Sequence, residues 1–278
     1  MVDRLSEEQV RDYRERGYHT SIRVMDEAEA LERRRWVERI EAEQPALYKK
    51  CDLKAQMLVP WIDDLTRKPE LLEPIARLLG PNLICWNASF RIKRNDGRHH
   101  AGWHQDTRYI DLQPPGVIAF VALSDCSREA GCLRTIPGTH RGPILTHQDS
   151  ASADSILTRG QFITDPMDED SAVDLALKAG EVALFDHGIV HGSGPNISGD
   201  RRVGMILGYF APHSRPVNGS TMSGMVVQGE DEYGFFRPDP QPDGEFGETA
   251  LAAHHAAVEA QTRELLFAGS ERKPVAMG

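Results

Sequence analysis

The chain has 278 residues, 40% of them hydrophobic and 27% charged, with a formal net charge of −10. That length suits one sizeable domain, and the composition is ordinary for a soluble globular protein. The acidic balance argues against a general nucleic-acid binder, which needs a basic face for phosphates, and no apolar run approaches the length of a membrane span.

In chain order, Ser6 with Gln9 forms a capping-box signal for a short helix ending near Gly17. A charged helix is predicted from about Asp26 to Glu43, and another from about Leu71 to Leu79, stopping at Gly80-Pro81. From Leu83 the pattern changes to short strands separated by Gly/Pro turns, as in an all-β barrel. Residues 141–175 form a long polar insertion of little periodicity, the length of a lid, a binding element or a disordered segment. A Gly/Pro-rich region, 212–247, follows the last core strand, and an Ala-rich helix near 249–268 closes the chain. There is no internal repeat.

Chemistry concentrates in the segment W-H-Q-D at 103–106, the segment V-H-G-S-G-P-N at 190–196 and the pair Arg201-Arg202. Side chains alternate faces in an extended strand, so His104 and Asp106 can reach one metal ion while Gln105 points away. The third ligand comes from elsewhere, and His191 is the best candidate. Two His and one carboxylate leave three coordination positions open, as in non-haem Fe(II) oxygenases. A structural zinc site closes its sphere, usually with cysteines, and Cys51, Cys85, Cys126 and Cys132 include no C-x-x-C pair. Arg202 opens the apolar strand V-G-M-I-L-G-Y-F, so it is expected to point into a barrel, where a guanidinium needs a carboxylate partner.

From about Asn82 to Phe210 the sequence resembles the phytanoyl-CoA dioxygenase family of Fe(II)- and 2-oxoglutarate-dependent oxygenases. The runs that carry the resemblance are W-H-Q-D, P-G-V-I-A-F-V-A-L-S-D, E-A-G-C-L-R-T-I-P-G-T-H-R-G and A-G-E-V-A-L-F-D-H-G-I-V-H-G-S-G-P-N-I-S-G-D-R-R. It implies a mainly β fold with flanking helices around a double-stranded β-helix (jelly-roll) core. Within a single domain of 1–278 it implies a helical N-terminal part (about 1–80), a core (about 82–212) and a C-terminal loop and helix (about 213–270). By the family pattern His104, Asp106 and His191 are the iron ligands. Arg202, eleven residues past His191, pairs with the far carboxylate of 2-oxoglutarate, and Ser193, Phe120 and Ser89 also contact this cosubstrate. A basic or amide group from the N-terminal part completes its site, with Lys49, Lys54 and Gln56 as open candidates.

The implied reaction consumes O2 and 2-oxoglutarate, releases succinate and CO2, and hydroxylates a C–H bond of a small metabolite. Desaturation, cyclisation and epoxidation use the same iron. Asp106 favours hydroxylation over halogenation, because related halogenases carry a small residue there. The competing readings are a cupin-type metal dioxygenase that does not use 2-oxoglutarate, and a binding protein that kept the barrel but lost turnover. Arg94, Arg98, Arg108, Arg134 and Arg141 flank the site in sequence, and two of them facing the cavity would favour an acidic substrate. His187 is expected in a turn, His99 and His100 in a polar loop, His140 as a loop-fixing residue, and Asn196 as a satisfier of turn backbone. The N-terminus lacks a signal-peptide core. Sparse cysteines then read as reduced thiols in a cytoplasmic protein with no nucleic-acid or membrane partner. Oligomeric state is not readable.

Overall fold

Ser6 caps the first helix as its sequence predicts. Its Oγ accepts from the Gln9 backbone N–H at 3.2 Å, the Gln9 side chain accepts from the Ser6 N–H at 2.8 Å, and α1 (Glu7–Arg16) ends on left-handed Gly17. The computed structural model describes residues 4–217 and 219–262. Helix α2 (Glu27–Glu43) starts at Asp26, whose carboxylate accepts from the Glu29 N–H at 2.7 Å. Two further helices, α3 (Pro45–Lys50) and α4 (Pro60–Thr66), are too short for periodicity to reveal, and each opens with a proline in its first turn. Next comes α5 (Pro69–Leu79), stopped at Gly80. The closing helix α6 spans Glu248–Gln261, and the rest of the stretch expected to be helical, from 263 onward, lies outside the described residues.

Eleven strands build two facing sheets: β1 (Tyr18–Arg23), β2 (Leu83–Lys93), β3 (Ala101–His104), β4 (Val117–Ala122), β5 (Leu133–Thr135), β6 (Val173–Leu175), β7 (Glu181–Asp186), β8 (His191–Ser193), β9 (Arg202–Phe210), β10 (Ser223–Gln228) and β11 (Arg237–Pro238). The larger sheet runs β1-β7-β4-β9-β2-β10-β11 and the smaller β3-β8-β5-β6. The larger sheet thus takes β1 from the helical N-terminal part and β10 and β11 from the Gly/Pro-rich region after the core. The architecture is the jelly roll the resemblance implied.

Alternation along β4 shows how the layers divide. Val117, Ala119 and Val121 pack outward on a core that includes Val37, Ile40, Ile62, Leu71 and Ile75 of the helices. Ile118, Phe120 and Ala122 point inward, toward Phe185, Leu133 and Leu175. Helices therefore cover one face of the larger sheet, and its other face forms a wall of the barrel. Part of the 141–175 insertion completes the cavity wall, through Ile156, Leu157 and Thr158. Lys54, one of the N-terminal candidates, is tied into this scaffold. Its buried ammonium meets Asp239 at 2.5 Å and the Trp86 carbonyl at 2.8 Å.

Candidate active site

Strands β3 and β8 pair with His104 directly opposite His191, and their rings stand 4.1 Å apart. Asp106 follows on the turn Asp106–Arg108, two residues along an extended Gln105, which keeps it on the His104 side. His104 Nε2 lies 3.6 Å from one Asp106 oxygen and His191 Nε2 lies 3.9 Å from the other. The three ligand atoms lie within 4.8 Å of one another, a spread that one divalent ion can bridge. Gln105 points away, as expected, donating to the Gly188 carbonyl at 2.8 Å and accepting from the Leu145 N–H at 2.8 Å.

Tautomer and charge also suit a metal. His104 Nδ1 sits 2.8 Å from the Gly102 carbonyl and His191 Nδ1 3.0 Å from that of Ile189. A carbonyl only accepts, so each Nδ1 carries the proton and each Nε2 lone pair faces the cluster. Burial, and then His191, push the His104 imidazole down to about 3, which keeps it neutral. Burial raises the Asp106 carboxyl, but His191, His104 and their neighbours outweigh it and leave the group below its usual value. Two imidazoles and a carboxylate are the donor set of a non-haem iron centre.

From this triad opens a cavity of about 470 Å³, whose walls include Phe120, Ser193 and Arg202. Arg202 is only 2% exposed. Its guanidinium lies 5.3 Å from the Phe120 ring centre, and it donates to the Gly131 carbonyl at 2.5 Å. Its Nε is buried without a hydrogen-bond partner among the described residues. Beside it, the buried Lys93 ammonium donates to Ser193 Oγ at 2.6 Å and to the Gly194 carbonyl. Burial, and then Arg202, bring Lys93 down to about 6. No carboxylate stands within ion-pair distance of Arg202 or Lys93 among the described residues. A buried guanidinium with an unfilled N–H donor, beside the Lys93 amine, makes a carboxylate-binding wall.

The structure separates the remaining candidates. Ser89 is buried with Asn87 Nδ2 3.3 Å from its hydroxyl, and β2 lines the cavity through Trp86, Asn87, Phe90, Arg91 and Ile92 rather than Ser89. None of Lys49, Lys54 and Gln56 lines the cavity. Lys49 is exposed, Lys54 is held by Asp239, and Gln56 accepts from the Ala88 N–H at 2.8 Å; Tyr48, Asp52 and Leu53 are the N-terminal residues that reach the wall. Arg94, Arg98, Arg108, Arg134 and Arg141 are also absent from it. Arg98 pairs with Asp154 and Arg134 with Asp174, while Arg94, Arg108 and Arg141 are exposed. His187, expected merely to turn the chain, is buried and lines the cavity. His99 pairs with Asp96 at 2.5 Å, His140 fixes its loop to the Arg14 carbonyl at 3.1 Å, and Asn196 donates to the carbonyls of Lys93 and Asp200. Sequence reasoning missed Arg91, although period-two alternation from Ser89 marks it as inward-facing.

A jelly roll with two His and one carboxylate lining an internal cavity defines a non-haem iron oxygenase scaffold. The chain belongs to the phytanoyl-CoA dioxygenase (PhyH) family, whose pattern matches residues 2–204. It is 30% identical over 137 residues to the peroxisomal phytanoyl-CoA dioxygenase of Bos taurus, covering 47% of this chain and 40% of that enzyme. It is 26% identical over 161 residues to a probable alpha-ketoglutarate-dependent hypophosphite dioxygenase of Stutzerimonas stutzeri, covering 57% of this chain and 56% of that one. The alignments thus span between two fifths and three fifths of these two relatives. Among solved structures, the apo form of ThoJ, a non-heme monooxygenase, superposes with a TM-score of 0.82 at 26% identity, covering 95% of this chain and 99% of that one.

Proposed function

We propose that the protein is an Fe(II)- and 2-oxoglutarate-dependent dioxygenase that hydroxylates an unactivated C–H bond of a small metabolite, releasing succinate and CO2. The observation that carries the reading is the pairing, in one cavity, of the His104–Asp106–His191 triad with the buried cation Arg202, which has no carboxylate of the described residues as a partner. The triad would hold iron through both Nε2 atoms and the carboxylate. Iron with 2-oxoglutarate, when bound, supplies the activation of O2 and the oxidising power. The chain's own residues orient and enclose. Arg202, over the Phe120 ring, takes the distal carboxylate; the Ser193 hydroxyl, set by Lys93, adds a second contact there. The backbone carbonyls of Gly102 and Ile189 fix the imidazoles so that their lone pairs stay aimed inward. Apolar walls from Ile118, Leu133, Phe185 and Ile206 keep water out of the reacting zone. A carboxylate at Asp106 fills the position that a halide would need, which favours hydroxyl transfer. No helix among the described residues is long and apolar enough to cross a membrane. Four free, buried thiols suit a reducing compartment, so a cytoplasmic setting is part of the same proposal.

The test is anaerobic titration of the purified apoprotein with Fe(II) and then 2-oxoglutarate, read from the visible metal-to-ligand charge-transfer band. The band is expected in the wild type. In Arg202→Ala the 2-oxoglutarate affinity should fall by on the order of 100-fold, the loss expected when one member of a buried charge pair is removed. Iron binding without a band would assign the barrel to metal chemistry that does not use 2-oxoglutarate.

A further inference from the structure

Arg202 and Lys93 answer for one part of the cavity wall, and a second polar set answers for another. Arg91 lines the cavity, and among the described residues its guanidinium donates only to the neighbouring Phe90 carbonyl, at 2.9 Å. The acids that hold its charge are Asp106 and Asp52, neither within ion-pair distance, and burial pushes it down against them. Three more cavity-lining groups are buried without hydrogen-bond partners among the described residues: Trp86 Nε1, His187 Nδ1 and Tyr109 Oη. Trp86 is 7% exposed and His187 1%, and their rings lie 6.5 Å apart. Buried polar atoms are nearly always satisfied, so a group of unfilled ones around one space marks a ligand.

The backbone is shaped to present this set. The register of β9 against β2 slips between Gly208, opposite Asn87, and Tyr209, opposite Cys85. Trp86 is the extra residue, and the bulge sends both Trp86 and Asn87 to the cavity wall. Gly208 leaves space for the indole, because a Cβ there would overlap it. Such a concentration of polar groups on the wall that carries the Arg91 guanidinium suits an anion with a planar, polar body.

We propose that this part of the wall is the primary-substrate site and that it takes a small organic carboxylate, its anionic group held by Arg91 and its polar or aromatic portion by Trp86, His187 and Tyr109. The assignment rests on the oxygenase reading, with 2-oxoglutarate on Arg202. It does not require an amino group, a coenzyme A thioester or a phosphate on the substrate.

Calorimetric titration of the protein loaded with Zn(II), as a redox-inert metal, and 2-oxoglutarate tests it. The probes are matched pairs: phenylacetate with phenylacetamide, indole-3-acetate with indole-3-acetamide, and imidazole-4-acetate with its amide. At least one acid should bind about tenfold or more tighter than its amide, the worth of one charge-assisted hydrogen bond. Arg91→Gln should erase that difference, Arg91→Lys should restore part of it, and 2-oxoglutarate affinity should change by less than about threefold in both. Amides binding as tightly as acids, or no probe binding at all, would overturn the proposal. So would a loss of 2-oxoglutarate affinity in Arg91→Gln, which would assign Arg91 to the cosubstrate. Failure of the wild type to bind 2-oxoglutarate would instead overturn the oxygenase reading beneath it.

Discussion

Replacing Lys93 by methionine tests how the cation wall is built. An unperturbed lysine keeps its proton to about pH 10.4, whereas burial, and then Arg202, bring Lys93 down to about 6. Between those values the unfolded chain binds a proton that the folded, cosubstrate-free protein does not. The penalty on folding is therefore greatest below pH 6 and is relieved as pH rises toward the unfolded value. The slope is about 1.4 kcal/mol per pH unit, so stability gains up to about 3 kcal/mol from this residue between pH 7 and pH 9. Methionine keeps the length and packs well, but it leaves Ser193 Oγ and the Gly194 carbonyl without their donor, at a cost of about 1–3 kcal/mol. Lys93→Met should accordingly be more stable than wild type near pH 7 and about equal to it near pH 9, its advantage shrinking by about 3 kcal/mol over that range. Urea unfolding from pH 6.5 to 9 gives the comparison, and titrations shared by both proteins cancel in the difference. Parallel pH profiles would refute the reasoning, because they would mean that Lys93 stays charged throughout.

Asp106→Ala and His104→Ala should each lose bound Fe(II) while the far-ultraviolet circular dichroism and cooperative unfolding persist; full iron occupancy in both would remove these residues from the ligand set. Gly208→Ala should lower stability by about 1–3 kcal/mol through overpacking against Trp86, and a wild-type melting temperature would show that the indole has room to move. Asp239→Asn strips the fully buried Lys54 of its counter-charge, at an expected cost of about 3–5 kcal/mol. An unchanged unfolding midpoint for that variant would mean that the carbonyls of Trp86 and Ser223 suffice to hold the ammonium.

The grouping of His104, Asp106 and His191 was legible because the signals for it are local or match a dense pattern. His104 and Asp106 announce a shared face by their spacing, and His191 and Arg202 stand where the family resemblance puts them. The helix starts at Ser6 and Asp26 were equally plain, since capping is written within a few residues. What stayed hidden depends on distant partners. Lys54 looks like a free cation until the chain returns with Asp239, 185 residues later, to neutralise it. Trp86 and Asn87 both line the cavity where β2 bulges against β9, a register slip that no periodicity in β2 alone reveals. His187 follows the end of β7, where chain direction rather than residue type decides between solvent and interior.

The two ends of the proposed cosubstrate site belong to different sheets. His104 and His191 hang from β3 and β8 of the smaller sheet, while Phe120 and Arg202 stand on β4 and β9 of the larger one. A dicarboxylate that chelates the metal at one end and meets Arg202 at the other is then a strut braced between two slabs. Its length becomes a ruler for the gap between them, and packing that shifts one sheet against the other, even from the helical side, acts on the reaction as though it had lengthened or shortened that strut.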